Sequence, residues 1–336
     1  MFFGIQLLPG ILFIVSFILS LVITKLYIDV AKKKRILSPD VHKIGNPLVV
    51  NRGGVAFIIL PILTLIVPFM LSSWPNRSLL NESLSIIIAT LLGGFVGYFD
   101  DNYDLGLFKV ILTFLTAVPI IVLQAYYPRP LVPIIGRIRI TIVYPLLVLI
   151  AMPVVSNAMN MIDVMNGVMA TSISTTLIAM LFWALFISDI PAACYISIAL
   201  GITLGFLIFN KYPAKTFPGN IGSYAAGALL GATVIISRQE YIALIALLPV
   251  ILNGFLLLSS IRGIMSRNVL QAKKGKAVLV QDGVLYANKK ANAPLDLTRL
   301  ILLFGPLPEK DVIRIYTLLF IESMILSILT GFLIYF

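Results

Sequence analysis

The sequence predicts an all-α integral membrane protein. About ten transmembrane helices would carry polar cytoplasmic loops on one face, with a small β-hairpin in the last loop. Three observations predict this. Hydrophobic residues fill 60% of the 336 positions and charged residues only 12%, against about 25% charged in a soluble domain. Mean hydropathy is +1.04. Long apolar runs recur ten times, each near the roughly 20 residues that cross a hydrocarbon core. This composition excludes a soluble enzyme, a disordered tail and a secreted disulfide scaffold. The single cysteine, Cys194, forbids an internal disulfide and reads as a small hydrophobe. The net charge of +11 is informative through its distribution between membrane faces, and no nucleic-acid partner is expected.

The runs lie near residues 5–28, 53–72, 84–99, 108–127, 142–160, 168–188, 191–209, 223–237, 240–260 and 312–334. Together they make one polytopic domain, 1–336. The first run is long and has no basic leader, so it reads as an anchor and not a cleaved signal. Loops 29–52, 100–107, 161–167, 210–222 and 261–311 then share one face. Eighteen of the 25 Lys and Arg belong to that face and five to the other. Positive charge is retained inside, so these loops are expected in the cytoplasm and both termini outside. The sequons Asn76-Arg77-Ser78 and Asn81-Glu82-Ser83 fall on the opposite face and agree.

The polar residues collect in three of the cytoplasmic loops. Asp100-Asp101-Asn102-Tyr103-Asp104 closes the third run. Adjacent carboxylates repel unless a cation sits between them, so this pair calls for a divalent metal or a basic partner, with solvated helix ends as the alternative. Asn157, Asn160, Asp163 and Asn166 recur every third residue where the fifth run closes and share one helix face. They suit a nucleotide or sugar; a polar seam between helices is the alternative. Pro218-Gly219-Asn220-Ile221-Gly222-Ser223 opens the eighth run, where free N–H groups favour an anion. Lys109 can neutralise a phosphate. Val278-Leu-Val-Gln-Asp282-Gly283-Val-Leu-Tyr reads as the hairpin, turning at Asp-Gly. Glu322, inside the last run, reads as a packed helix contact.

Taken together and in order, these segments resemble the polyprenyl-phosphate N-acetylhexosamine-1-phosphate transferases. The resemblance covers nearly the whole chain. His42-Lys43-Ile-Gly45-Asn-Pro47 and Arg52-Gly53-Gly54 look like the family's first cytoplasmic segment. Asp100-Asp101-x-x-Asp104 resembles its Asp-Asp motif, and Asn157 to Gly167 its Asn-rich motif. Phe217-Pro-Gly219-Asn220-Ile-Gly222-Ser223 resembles its Gly-Asp-x-Gly-Ser segment. The segment from Leu297 to Lys310, with Gly305-Pro306 and Glu309, is similar to the end of the eukaryotic and archaeal members. A His-rich last cytoplasmic loop, typical of the bacterial peptidoglycan members, is absent.

The resemblance implies transfer of N-acetylglucosamine-1-phosphate from UDP-N-acetylglucosamine to a dolichyl-type phosphate, with release of UMP. This would be the first step of lipid-linked glycan assembly, assisted by Mg²⁺ or Mn²⁺. It implies catalytic roles for Asp100, Asp101, Asp163 and Lys109, with the role of Asp163 open. Asp101, Asn160 and Asn220 would hold the metal. Lys43 would face the lipid phosphate, Lys276 the pyrophosphate, and Asp104, Asn157 and Asn166 the uridine. A UDP-sugar, a polyprenyl phosphate and the bilayer are the implied partners, and a homodimer is compatible with them. The membrane would be an archaeal-type plasma membrane or an endoplasmic reticulum, with the site on its cytoplasmic side. Two departures stand out. Asn220 replaces the family's metal-binding Asp, and residues 261–299 contain no His, only cations such as Lys273, Lys274 and Lys276. They keep two alternatives open: a transferase for another UDP-sugar, or a catalytically impaired paralogue that binds a nucleotide sugar. His42 reads as a bystander.

Overall fold

A computed structural model describes residues 2–71, 76–261 and 274–335; Lys273 and residues 73–75 of loop 73–83 lie outside them. Every one of the ten apolar runs falls on helix, but they are not ten regular spans. Among the described residues, seven helices are long and apolar enough to cross a bilayer: α1 (Phe2–Lys33), α3 (Arg77–Tyr103), α5 (Val143–Ile162), α6 (Val168–Phe186), α7 (Ile190–Asn210), α8 (Gly219–Ile236) and α12 (Glu309–Tyr335). The ninth run breaks into α9 (Glu240–Ala246) and α10 (Leu248–Ile261), bent by 67°, and makes eight spans if the pair counts as one. The second and fourth runs, α2 (Val55–Leu71) and α4 (Phe108–Val122), are shorter and each changes to a 3₁₀ turn midway. Proline accounts for much of this. Pro61, Pro68, Pro119 and Pro249 each lack the N–H that continues an α-helical ladder. Apolar counting does not register that loss.

Among the described residues, three small sheets sit in the loops. β1 (Leu37–Pro39) pairs with β2 (Leu48–Val50) in the first polar loop. β3 (Leu131–Val132) pairs with β4 (Gly136–Arg137). In the last polar loop β5 (Val278–Gln281) and β6 (Val284–Ala287) turn at Asp282-Gly283, where both residues have positive φ, 48° and 74°. β7 (Leu307–Pro308) adds a third strand to β6, so the hairpin continues into the short helix α11 (Leu297–Leu302) and then α12.

Helices α6, α7 and α8 form the buried centre, whereas α1 and α12 are mostly exposed along their length and lie outside. Small residues let the central helices approach closely. A Cβ built on Gly201 would lie 2.0 Å from Ser16 Oγ, and one on Gly205 would lie 2.5 Å from Ser20 Cβ, so this Gly-x₃-Gly stripe seats α1 on α7. A second Gly-x₃-Gly stripe, Gly93 and Gly97, seats α3 on α8. There the added Cβ would lie 2.7 Å from Tyr224 O and 2.2 Å from Asn220 O. This contact matters most for function, because it brings the last turn of α3 against the first turn of α8. Glu322 is not a packed contact: it lies exposed on α12.

Candidate active site

The end of α3, the end of α5 and the start of α8 converge on one cluster. Asp100 is 6% exposed. Its Oδ2 accepts from Lys109 Nζ at 2.8 Å and from Asn220 Nδ2 at 2.8 Å, and its Oδ1 accepts from the Leu105 backbone N–H at 3.1 Å. Asn160 continues the chain: its Nδ2 donates to Asn220 Oδ1 and to Ser223 Oγ, each at 2.8 Å. The row therefore runs Lys109, Asp100, Asn220, Asn160, Ser223. These are not solvated helix ends. A buried carboxylate without such partners would cost several kcal/mol, and here one ammonium and two N–H donors offset it.

Asp101 has a different task. Its Oδ1 accepts from the Asn220 backbone N–H at 3.2 Å and its Oδ2 from the Ile221 N–H at 3.1 Å. A carboxylate from α3 thus caps the otherwise unpaired N–H groups that open α8. Arg52 holds the same corner. Its guanidinium donates to Asp101 O at 2.8 Å and to Asn102 Oδ1 at 3.1 Å, and its Nε lies 3.7 Å from Asp101 Oδ2. Sequence reasoning assigned Asp101 to the metal, yet both its oxygens face protein donors. Asp100 is the acid that meets the Asn220 side chain. Nor did sequence reasoning find the role of Arg52; the adjacent Gly53-Gly54 was the available signal. Gly53 and Gly54 donate to Phe217 O and Pro218 O at 2.8 and 3.2 Å, which binds the first polar loop to the start of α8.

The other expected residues divide. Asn157 sits one turn deeper on α5, where its Nδ2 donates to Thr113 Oγ1 and Pro153 O and its Oδ1 accepts from Tyr224 at 3.4 Å. It acts as a seam between α4, α5 and α8. Asp104 lies exposed at the left-handed C-cap of α3, with φ 46°. Asp163 caps the end of α5. No hydrogen bond or ion pair reaches its side chain among the described residues, and burial pushes its carboxyl up to about 7. Lys276 is exposed, and among the described residues its ammonium makes no contact with the Asp100 cluster. Lys43 and Asn166 join a separate group with Asp40, His42 and Glu309. There Lys43 pairs with Asp40 and with Glu309 at 3.2 Å, and Asn166 Nδ2 donates to Asp40 Oδ2 at 3.2 Å.

The oxygens at the main cluster are hard carboxylate, amide and hydroxyl donors, which suit Mg²⁺ or Mn²⁺. Asp100, Asn220 and Ser223 fit such an ion once the Asn220 amide presents its oxygen. Asp101 fits less well, because its lone pairs already accept from the α8 backbone.

Residues 83–238, which carry this cluster, match the pattern of glycosyl transferase family 4. The chain is 30% identical over 313 residues to a protein of Sulfolobus acidocaldarius, covering 90% of each chain. It therefore belongs to this family, the polyprenyl-phosphate N-acetylhexosamine-1-phosphate transferases. The Sulfolobus relative is provisionally named a UDP-N-acetylglucosamine–dolichyl-phosphate N-acetylglucosaminephosphotransferase, as is a Saccharolobus solfataricus protein 29% identical over the same shares. The chain is also similar to the phospho-N-acetylmuramoyl-pentapeptide-transferase of Streptococcus agalactiae, at 29% identity over 68% of this chain and 73% of that one.

Proposed function

We propose that this sugar-1-phosphate transferase moves N-acetylglucosamine-1-phosphate from UDP-N-acetylglucosamine to a dolichyl-type polyprenyl phosphate on the cytoplasmic side of its membrane. The observation that carries the reading is the buried Lys109–Asp100–Asn220–Asn160 row at the joined ends of α3, α5 and α8. Whole-length similarity to the Sulfolobus protein supports the choice of sugar and lipid.

In this reading an oxygen of the lipid phosphate attacks the β-phosphorus of the nucleotide sugar. The bond from that phosphorus to the bridging oxygen breaks, and UMP leaves with its electron pair. Positioning and charge neutralisation do most of such a reaction. Lys109 brings a positive charge to the transferring phosphate. Asp100 fixes the Lys109 ammonium through their 2.8 Å bond and, with Asn160, fixes the Asn220 amide. A phosphate monoester with a second pKa near about 6 is already largely dianionic at neutral pH, so no strong general base is required. Mg²⁺ or Mn²⁺, held by Asp100, Asn220 and Ser223, would offset the repulsion between the two anions. Purified protein should release UMP from UDP-N-acetylglucosamine only when both lipid phosphate and Mg²⁺ or Mn²⁺ are supplied. Release without lipid, or full activity in excess EDTA, would defeat the reading.

Asn220 gives a sharper test of the metal. Its Nδ2 bridges to Asp100 in place of the negative charge that an Asp would bring. Asn220→Asp should therefore lower the Mg²⁺ concentration for half-maximal rate. It should also lower the melting temperature in EDTA, because two carboxylates then face each other without a donor between them. Identical Mg²⁺ titrations for wild type and variant would show that Asn220 does not touch the metal.

A further inference from the structure

The second polar cluster has features of a built site. Asp40 and His42 follow β1, Asn166 lies in the turn between α5 and α6, and Glu309 is the first residue of α12. Asp40 and Glu309 are each only 3% exposed. Against these two buried carboxylates the cluster offers one fixed cation, the Lys43 ammonium, which pairs with both. Uncompensated buried charge is costly. His42 Nδ1 stands 3.6 Å from Glu309 Oε1, beyond hydrogen-bond distance.

That separation has another meaning. Two donors bound at about 2.0–2.1 Å to one tetrahedral ion lie about 3.4 Å apart. One ligand atom from each of Asp40, His42 and Glu309 falls within 4.8 Å of the others. A further atom points to a missing occupant. Asn166 Oδ1 is buried and accepts no hydrogen bond, and Asn166 is itself only 3% exposed. The Asn166 amide already touches Asp40 through its Nδ2. Rotating it would present an oxygen to the same centre.

From this arrangement we propose that Asp40, His42 and Glu309 form a second metal site, which takes a divalent ion of the Zn²⁺ type and is separate from the Asp100 cluster. One imidazole with two carboxylates favours Zn²⁺ or a similar transition ion over Mg²⁺, which prefers an all-oxygen shell with retained water. Lys43 occupies the cation's place in its absence. On binding it would release the two carboxylates, while the Tyr212 ring, already 4.8 Å from its Nζ, would keep a cation–π contact with it. The ion would pin the first polar loop to the first turn of the last helix, and it would release the Lys43 ammonium from Asp40 and Glu309.

The test is a Zn²⁺ titration of EDTA-stripped, detergent-solubilised full-length protein, repeated with Co²⁺ and read by its visible absorption bands. One ion per chain is expected, with affinity lowered more than about tenfold in His42→Ala and unchanged in Asn220→Ala. His42 is partly exposed, so its variant should fold, and Glu309→Gln provides a second variant at a buried ligand. Failure to bind a stoichiometric ion, equal affinity in wild type and His42→Ala, or loss of binding in Asn220→Ala would each overturn the proposal.

Discussion

Asp100→Asn is expected to lower turnover by about 100-fold or more, the scale seen when a preorganised charge is removed from an active site. The replacement keeps the shape of the side chain but changes what it can accept. Lys109 loses its anionic partner at 2.8 Å, and the Asn220 amide would meet a second amide whose orientation is ambiguous. The ammonium would then be free to leave the position in which, under the proposed mechanism, it would face a phosphate. Single-turnover rates at saturating UDP-sugar and lipid phosphate measure the effect, and an unchanged rate would remove Asp100 from the site. Asp101→Asn provides the contrast. An Asn there still accepts one backbone N–H of α8, so the main loss is part of a helix cap, about 1 kcal/mol. Its melting temperature should fall while the rate of the folded fraction changes less than in Asp100→Asn.

Gly97→Ala should be nearly as damaging, although Gly97 carries no chemistry. The added methyl would stand 2.2 Å from the Asn220 carbonyl oxygen and 2.6 Å from Ile221 Cα, both backbone atoms that cannot rotate away. Overpacking of this kind costs about 1–3 kcal/mol. Relief requires α3 and α8 to separate, which pulls Asp100 from Asn220 and Asp101 from the two N–H groups it caps. A displacement near 1 Å at a reacting site can cost about 100-fold in rate. The expected result is a lower melting temperature together with a loss of turnover that extra Mg²⁺ does not restore. Gly10→Ala serves as the control, since nothing lies within 4 Å of a Cβ added there. Wild-type activity in Gly97→Ala would show that α3 and α8 tolerate separation at their joined ends.

Some of the site was legible because its residues are chemically out of place. Asp100, Asn160 and Asn220 are polar groups at the ends of apolar runs, and lipid excludes such groups unless they bind something or pair with one another. Lys109 stood out for the same reason. Arg52, Asp40 and Glu309 did not, because a charge in a polar loop is ordinary until its partner is known. Arg52 meets Asp101 and Glu309 meets Lys43 and His42 on other elements, hundreds of residues away for Glu309. Asp40 meets Lys43 in its own loop and Asn166 across the fold. Asn157 and Asn166 share a sequence period with Asn160, yet they serve different neighbours. Period fixes a helix face, but not what packs against it.

What the sequence by itself determined is the class of the molecule, the approximate placement of its helices and the end of the bundle where polar chemistry gathers. These follow from composition and run length, which the bilayer translates directly into structure. Only the tertiary structure decided which of two adjacent acids meets Lys109 and which caps α8. The physical reason is that successive helical residues point about 100° apart, so the close approach of α3 and α8 at Gly97 sends the two carboxylates to different partners. The same holds for the broken spans, where proline position and packing, not hydropathy, set the length of each helix.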